Sequence, residues 1–196
     1  MSTSITDQFG ETTSALLCVP SMDSGADTAC TELLLPAAPS ELNVLWVTYT
    51  RPAQSCLDRW RRVADSDPKR LGIVTVGETN PSVEGVDSGA IEVINNPSDM
   101  TGLGIKVGEF ISNQEGPTAV CFDSVTAMLQ YVDIETAYEF LHALTGRLYA
   151  ADAFAHFHLD PSAHDDQTVD TLLSLFDDVV RIEDGERTVT RRYPSQ

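Results

Sequence analysis

The feature that most constrains this chain is the alternation of short apolar runs with segments of helical spacing. Nearly continuous β-branched and aromatic runs occupy residues 42–49 and 118–122, and helix-like apolar spacing follows in residues 53–63 and 134–149. Such runs are typical of strands that are covered on both faces in a parallel sheet. The alternation predicts an α/β fold of three layers, a mainly parallel sheet flanked by helices.

The pattern predicts eight strands and six helices. The predicted strands are residues 15–19, 42–49, 73–76, 91–94, 118–122, 154–159, 179–183 and 188–192. The predicted helices are residues 28–35, a helix after Pro52, a helix from Ser98 or Asp99 to Ser112, a helix from about Ala127, and residues 134–149 and 168–176. The turn at residues 183–186 predicts an antiparallel hairpin at the C-terminal edge. We expect a polar arm at residues 1–13 and a single domain at 14–196.

Ligands of such sheets bind outside the carboxyl ends of the strands. The loops at Pro20, Tyr49, Asp123 and Leu159 are therefore expected to converge on one edge. The sequence contains no Gly-x-Ser-x-Gly elbow and no Cys/His pair with supporting motif context, and no catalytic residue is predicted.

The loop after the first strand stands where a phosphate-binding loop would stand. The working motif is G-x-x-x-x-G-K-S/T, in which Lys contacts the phosphates and the hydroxyl holds magnesium. Within residues 20–27 only Gly25 matches, because Ala26 follows Ser24 and Gly25 where the lysine should be and Asp27 replaces the hydroxyl residue. Two interpretations of this loop stay open. It is either an ordinary loop in which Asp27 caps a helix or a nucleotide site without lysine.

A second nucleotide motif is matched by the apolar run that ends at Asp123 and Ser124. An aspartate at this place would hold magnesium through water. The alternative is a turn or cap residue. The degenerate nucleotide site predicted from sequence therefore comprises Ser24, Gly25, Ala26, Asp27, Asp123 and Ser124, with no cofactor expected and ATP with magnesium as the open alternative.

The element order resembles the RecA/KaiC-type ATPase superfamily, in particular small KaiC-like proteins of halophilic archaea. The motifs that carry the resemblance are Phe122-Asp-Ser-Val-Thr126, the run from His158 to Asp166, and the segment from Thr171 to Val180. It implies a RecA-like, P-loop NTPase-like fold. Members that hydrolyse ATP carry an acidic residue after the second strand, where this chain has Thr48 to Arg51, so the resemblance does not extend to catalysis.

The composition is strongly acidic, with 30 Asp and Glu residues against 12 Lys and Arg residues and a formal net charge of -18. Only Lys69 and Lys106 are lysines. A hydrated carboxylate surface suits concentrated salt, so we expect a halophile's cytosol, with an ordinary acidic protein as the alternative. No basic stripe exists to bind nucleic acid or an anionic membrane. The absence of a targeting pattern predicts a cytoplasmic protein.

Histidine and cysteine spacing matches no zinc pattern. The four cysteines (Cys18, Cys30, Cys56 and Cys121) are expected to be small buried hydrophobes. His156 and His158 share one face of their strand, and with Asp160 they are the candidate metal ligands, although hydrogen-bonded turn residues are the favoured interpretation. No metal is predicted.

The leading functional hypothesis is a non-catalytic KaiC-like domain that regulates a protein partner, either a catalytic relative or a signalling protein; self-association is also open. The alternative is a divergent nucleotide binder or slow ATPase that receives its missing lysine or arginine from a partner subunit. On the first hypothesis the crevice beside Gly25 is anionic and lacks cations. The aromatic residues Tyr131, Tyr138, Phe140 and Tyr149 and the stripe from Cys56 to Val63 are expected in the core.

Overall fold

A computed structural model describes residues 13–20, 25–78, 81–85, 90–112, 114–183 and 186–191. The strands are β1 (Ser14–Cys18), β2 (Asn43–Thr48), β3 (Arg70–Val76), β4 (Ile91–Ile94), β5 (Thr118–Asp123), β6 (Ala153–Leu159), β7 (Asp178–Glu183) and β8 (Glu186–Arg191). The helices are α1 (Gly25–Leu33), α2 (Ala53–Val63), α3 (Met100–Ser112), α4 (Val125–Met128), α5 (Ile134–Ala150) and α6 (Asp166–Leu173). Short 3-10 turns occupy Pro39–Glu41 and Pro161–Ala163.

All eight strands form one sheet in the order β4-β3-β2-β5-β6-β1-β7-β8. Every neighbouring pair is parallel except β7 and β8, which pair antiparallel from Asp178 with Arg191 to Glu183 with Glu186. The predicted mainly parallel sheet with a C-terminal antiparallel edge is confirmed. Residues 1–12 of the predicted arm and residues 184–185 of the hairpin turn lie outside the described residues.

The sheet separates two apolar layers. On one face Trp46, Cys121 and Val180 pack with residues of α1 and α2, and the Trp46 and Trp60 rings meet edge to face. On the other face Phe122 and Phe157 pack with residues of α3, α5 and α6. Because helices cover both faces, the strands have the continuous apolar character that predicted them.

Side-chain caps determine where several helices begin. Ser124, Asp133 and Asp165 accept hydrogen bonds from the N–H groups of the residues three positions later, at the starts of α4, α5 and α6. Asp99 caps α3 in the same way, as predicted, through Gly102. Helix α6 therefore begins two residues before the predicted start at Thr168.

Expectations about four single residues are wrong. Asp27 is the third residue of α1 and not its cap. Val63, Tyr131 and Tyr149 are exposed, because each lies on the solvent side of its helix or turn while apolar neighbours fill the core. Within the described residues, no helix combines the length and the apolar character needed to cross a membrane.

Candidate functional site

A crevice of about 290 Å³ opens at the carboxyl edge of the central strands. It lies between the first turn of α1 and the loops that follow β1, β2, β5 and β6, so the predicted convergence of these loops is confirmed. The lining residues are Val19, Pro20, Ala26, Thr50, Arg51, Arg59, Asp123, Ser124, Thr126, His158, Leu159 and Asp160. The volume lies at the lower end of small-molecule pockets, which span about 300 to 1,000 Å³.

The predicted nucleotide-site residues take different places around this crevice. Ala26 and Ser124 line it, and Asp123 is almost buried at the end of β5. The Ser124 hydroxyl oxygen accepts a hydrogen bond from the Ala127 N–H and so caps α4. Gly25 is the first residue of α1, whereas Ser24 lies outside the described residues. These places match the strand and helix ends at which such folds bind ligands.

Two arginines supply the positive charge that the sequence interpretation denied to the crevice. Arg59 projects from α2, and its Nη2 atom lies 2.8 Å from Asp27 Oδ1 while its Nη1 atom lies 3.6 Å from Asp123 Oδ2. Arg51 contacts the same two carboxylates, at 3.2 Å and 3.4 Å. The expectation of a crevice without cations is therefore wrong, because α2 and the loop after β2 bring arginines to it.

The Arg59 guanidinium is buried, with 2% of its side chain exposed. Its contacts with the two carboxylates are ion pairs whose angles are unfavourable for hydrogen bonds. Its N–H groups therefore have no hydrogen-bond acceptor among the described residues. Burial, the largest single effect, lowers the pKa of Arg59, but nearby Cys30 and Cys121 and the two carboxylates raise the pKa above its ordinary value. The group remains cationic.

The loop that carries Arg51 is shaped by Thr48. The Thr48 hydroxyl oxygen accepts hydrogen bonds from the N–H groups of Thr50 and Arg51, and the hydroxyl donates to the Arg51 carbonyl oxygen. The Tyr49 N–H donates to the Asp123 carbonyl oxygen at 2.7 Å. These bonds hold the loop against the end of β5, so that Arg51 reaches both carboxylates.

The candidate metal ligands separate into two groups. Asp160 accepts hydrogen bonds from the N–H and hydroxyl of Ser162 at the rim of the crevice. His156 and His158 instead lie beneath the crevice, with Cys30 of α1 and Cys121 of β5. All four cysteines are buried, as predicted, but two of them meet the histidines, which sequence spacing did not indicate.

The four groups beneath the crevice shift one another's pKa values. Burial raises the pKa of Cys121 well above its ordinary value, and the hydrogen bond with Cys30 adds to this rise. Burial also raises the pKa of Cys30, but contact with Cys121 and the two imidazoles outweighs burial and lowers the pKa overall. Burial lowers the pKa of His156. Cys30 is therefore the thiol that deprotonates first.

Sequence reasoning did not find Arg51, Arg59, Cys30 or Cys121 as site residues. One signal was present: Arg59 lies three residues after Cys56 and beside Trp60, on the apolar stripe of α2, where a charged residue needs a partner. A second signal was Cys121, which is two residues before Asp123 and therefore on the same face of the strand.

Comparison with solved structures agrees with the observed topology. A protein of Pyrococcus horikoshii OT3 from the structural-study project PH0250 is 11% identical, with a TM-score of 0.60, and the alignment covers 95% of this chain and 91% of that one. The flagellar accessory protein FlaH from Methanocaldococcus jannaschii is 10% identical, with a TM-score of 0.55 and coverage of 90% and 75%. No curated protein matches the chain.

The sheet order, the two helical layers and the crevice at the strand ends define a RecA-like α/β protein. The chain belongs to the family of unknown function DUF7504, whose model matches residues 13–182. The matched region includes both arginines, both carboxylates and all four groups beneath the crevice.

Proposed function

We propose that this chain is a non-hydrolysing RecA-like domain that regulates a protein partner by binding it. The observation that carries the proposal is the ion-pair network in the crevice, in which Arg51 and Arg59 each contact Asp27 and Asp123. In a working site, an aspartate at the position of Asp123 would hold magnesium. Here Asp123 lies beside two guanidinium groups, which would repel a magnesium ion at the same carboxylate.

Charge counting also disfavours a polyphosphate. Arg51, Arg59 and Arg62, whose guanidinium lies 4.0 Å from Asp27, are offset by Asp27, Asp123 and Asp160, so the crevice has no net positive charge to receive an anion of several charges. Ala26 provides no group that could reach a phosphate, and residues 48–51 contain no acidic side chain to activate water. Binding of a protein partner requires none of these missing groups, and the description of FlaH as an accessory protein is compatible with that role.

A second candidate function rests on Arg59. Its buried N–H groups have no hydrogen-bond acceptor among the described residues, and they face a crevice that a small anion can enter. A guanidinium is well suited to hold a phosphate oxygen. On this reading, Arg59 replaces the missing lysine from within the chain and the domain binds a nucleotide.

Thermal unfolding in molar KCl separates the two candidates. We expect no change in melting temperature with millimolar Mg-ATP or with inorganic phosphate. A nucleotide at about 100 times its dissociation constant would stabilise the folded state by about 2.7 kcal/mol. Stabilisation of the wild type that is absent from an Arg59→Met variant would replace the first candidate with the second.

The regulatory partner is tested by capture. Tagged full-length chain is used to recover proteins from a high-salt lysate of the source organism, with and without added Mg-ATP. We expect one protein in near-equal amount, recovered equally under both conditions. Recovery of this chain alone would remove the basis for a regulatory role.

A further inference from the structure

Four side chains of the types that bind metal ions, from three elements, meet under the crevice. Cys30 comes from α1, Cys121 from β5, and His156 and His158 from β6. The Cys30 and Cys121 sulfurs are 3.4 Å apart, the His156 Nε2 atom is 3.2 Å from Cys30 Sγ, and the His158 Nε2 atom is 3.6 Å from Cys121 Sγ. All four ligand atoms lie within 4.8 Å of one another.

We propose that Cys30, Cys121, His156 and His158 form a structural zinc site. In tetrahedral zinc, Zn–S bonds of about 2.3 Å and Zn–N bonds of about 2.0 Å place ligand atoms about 3.4 to 3.8 Å apart. The contact between His158 and Cys121 lies within that range, whereas the two contacts of Cys30 Sγ are shorter than their tetrahedral separations by a few tenths of an ångström and would open slightly around an ion. The remaining pairs of ligand atoms lie within 4.8 Å of each other and would draw in around the ion. Both histidines present Nε2 toward the sulfurs.

The donor set favours zinc over the other common ions. Magnesium and calcium require oxygen ligands, whereas two sulfurs and two imidazole nitrogens in a tetrahedron are typical of zinc. Two thiolates also neutralise the charge of Zn²⁺, which matters because Cys30, Cys121 and His156 have no exposed surface. Four protein ligands complete the tetrahedron, so the ion would serve a structural role.

The surroundings favour one ion that all four side chains bind. The layer that holds them is largely apolar, with Leu17, Trp46 and Ala119 among its buried residues, and the buried Arg59 is the charged group that approaches it from α2. Polar groups in such a layer are costly unless they are paired. His158 also lines the crevice, which provides a path for an ion to enter.

A zinc ion at this place would join α1 to the centre of the sheet. Cys30 lies one helical turn after Asp27, and Cys121 lies two residues before Asp123 on the same face of β5. The ion would therefore fix the separation of the two carboxylates that contact Arg59. This proposal does not depend on whether the crevice binds nucleotide or on the identity of a partner.

The metal content of the purified full-length chain tests the site directly. Protein is unfolded with chelator, refolded with ZnCl₂ or CoCl₂ under reducing conditions, and freed of excess metal. We expect one zinc per chain, and for cobalt the visible bands of tetrahedral Co²⁺ together with thiolate-to-cobalt charge transfer. Cys121→Ser should lose the bound zinc, whereas Cys56→Ser, which changes another buried cysteine of the same layer, should retain it.

Three results would overturn the proposal. One is a wild-type chain that refolds without stoichiometric zinc and shows no thiolate band with Co²⁺. Another is equal zinc binding by the Cys121→Ser and Cys56→Ser variants. The third is two free thiols instead of four in the denatured native protein, with peptide mapping that joins Cys30 to Cys121, because a disulfide would occupy both sulfur ligands. If Cys121→Ser fails to fold, as circular dichroism would reveal, the wild-type cobalt spectrum decides the question.

Discussion

Arg59 is the residue whose position most affects the chemistry of the crevice. It lies on the buried side of α2 and brings a positive charge between Asp27 and Asp123, two carboxylates that are far apart in the chain. The contacts make α2 a wall of the crevice and hold α1 near the end of β5. A side chain from one helix thus offsets the negative charge of two carboxylates that belong to other elements.

Replacing Arg59 with methionine should destabilise the fold. The change keeps most of the packing of the stem but leaves Asp123 with fewer partners in a poorly solvated place. Removing one partner of a buried pair costs about 3–5 kcal/mol; because Asp27 is partly exposed and Arg51 remains, we expect about 2 kcal/mol. Urea unfolding at constant KCl measures this loss.

Arg61→Met on the same helix is the matched control. Arg61 pairs with Asp67 on the exposed surface, at 3.0 Å. Exposed pairs of this kind contribute little to stability, so the free energy of unfolding of Arg61→Met should stay close to that of the wild type. Equal losses in the two variants would show that the network around Arg59 adds nothing specific.

The first turn of α1 and the loop after β2 each lack a group that ATP hydrolysis requires. Ala26 stands in the first turn, and the loop at residues 49–51 is folded around the Thr48 hydroxyl without an acidic side chain. The two elements face each other across the crevice, so restoring one of them does not restore the other.

The double substitution Ala26→Lys with Asp27→Thr tests this independence. It rebuilds the lysine and hydroxyl of the phosphate-binding motif, but no water-activating acid is added. We expect phosphate release at the rate of a protein-free control, even if the variant gains affinity for ATP in a thermal-shift assay. Measurable turnover would contradict the assignment of the second defect.

The start of α5 provides a pH-dependent element. The Asp133 carboxylate accepts a hydrogen bond from the Thr136 N–H at 2.8 Å, and this bond lowers the pKa of Asp133 below its ordinary value of 3.8. Because the folded-state pKa is depressed, the cap stabilises the fold above pH 3.8 and loses its contribution as the pH falls through the folded-state pKa.

Asp133→Asn separates the cap from its charge. Asparagine also caps helices, so we expect the variant to retain most stability at neutral pH and to lose less than the wild type on acidification. Asp133→Ala should lower the melting temperature at neutral pH. Melting curves across the acidic range give both results, and identical pH profiles for wild type and Asp133→Asn would refute the role of this carboxylate.

For the whole molecule, the dominant property is a formal net charge of -18 on 196 residues. Like charges at this density repel one another, and the repulsion is screened over about 3 Å at 1 M salt but over about 10 Å at 0.1 M. The folded state concentrates these charges more than the unfolded chain does. The stability of the fold should therefore depend on salt.

We expect the melting temperature to rise steadily as KCl increases from about 0.1 M into the molar range. Sucrose at matched osmolality is the control, because it is excluded from protein surfaces but screens no charge. A melting temperature that responds equally to both solutes would show that charge repulsion is not the cause, and would favour the ordinary acidic protein over the halophile.

Prediction from sequence succeeded where the signal was local. The strand near residues 42–49 and the cap at Asp99 were predicted because a strand or a cap depends on a few neighbouring residues. The predicted cap at Asp27 was wrong because its carboxylate contacts arginines 24 and 32 positions away. Tyr149 was misplaced because several faces of α5 carry apolar residues, and only packing against the sheet selects one.

Apolar periodicity and strand direction are properties of the chain, so they were sufficient to predict the layered α/β fold and the edge of the sheet where the loops converge. The contacts of Arg59 with Asp27 and Asp123, and those of Cys30 and Cys121 with two histidines, became visible in the folded structure alone. Those contacts join residues up to 126 positions apart. Their geometry depends on how α1 and α2 pack on the sheet, and no local pattern encodes that packing.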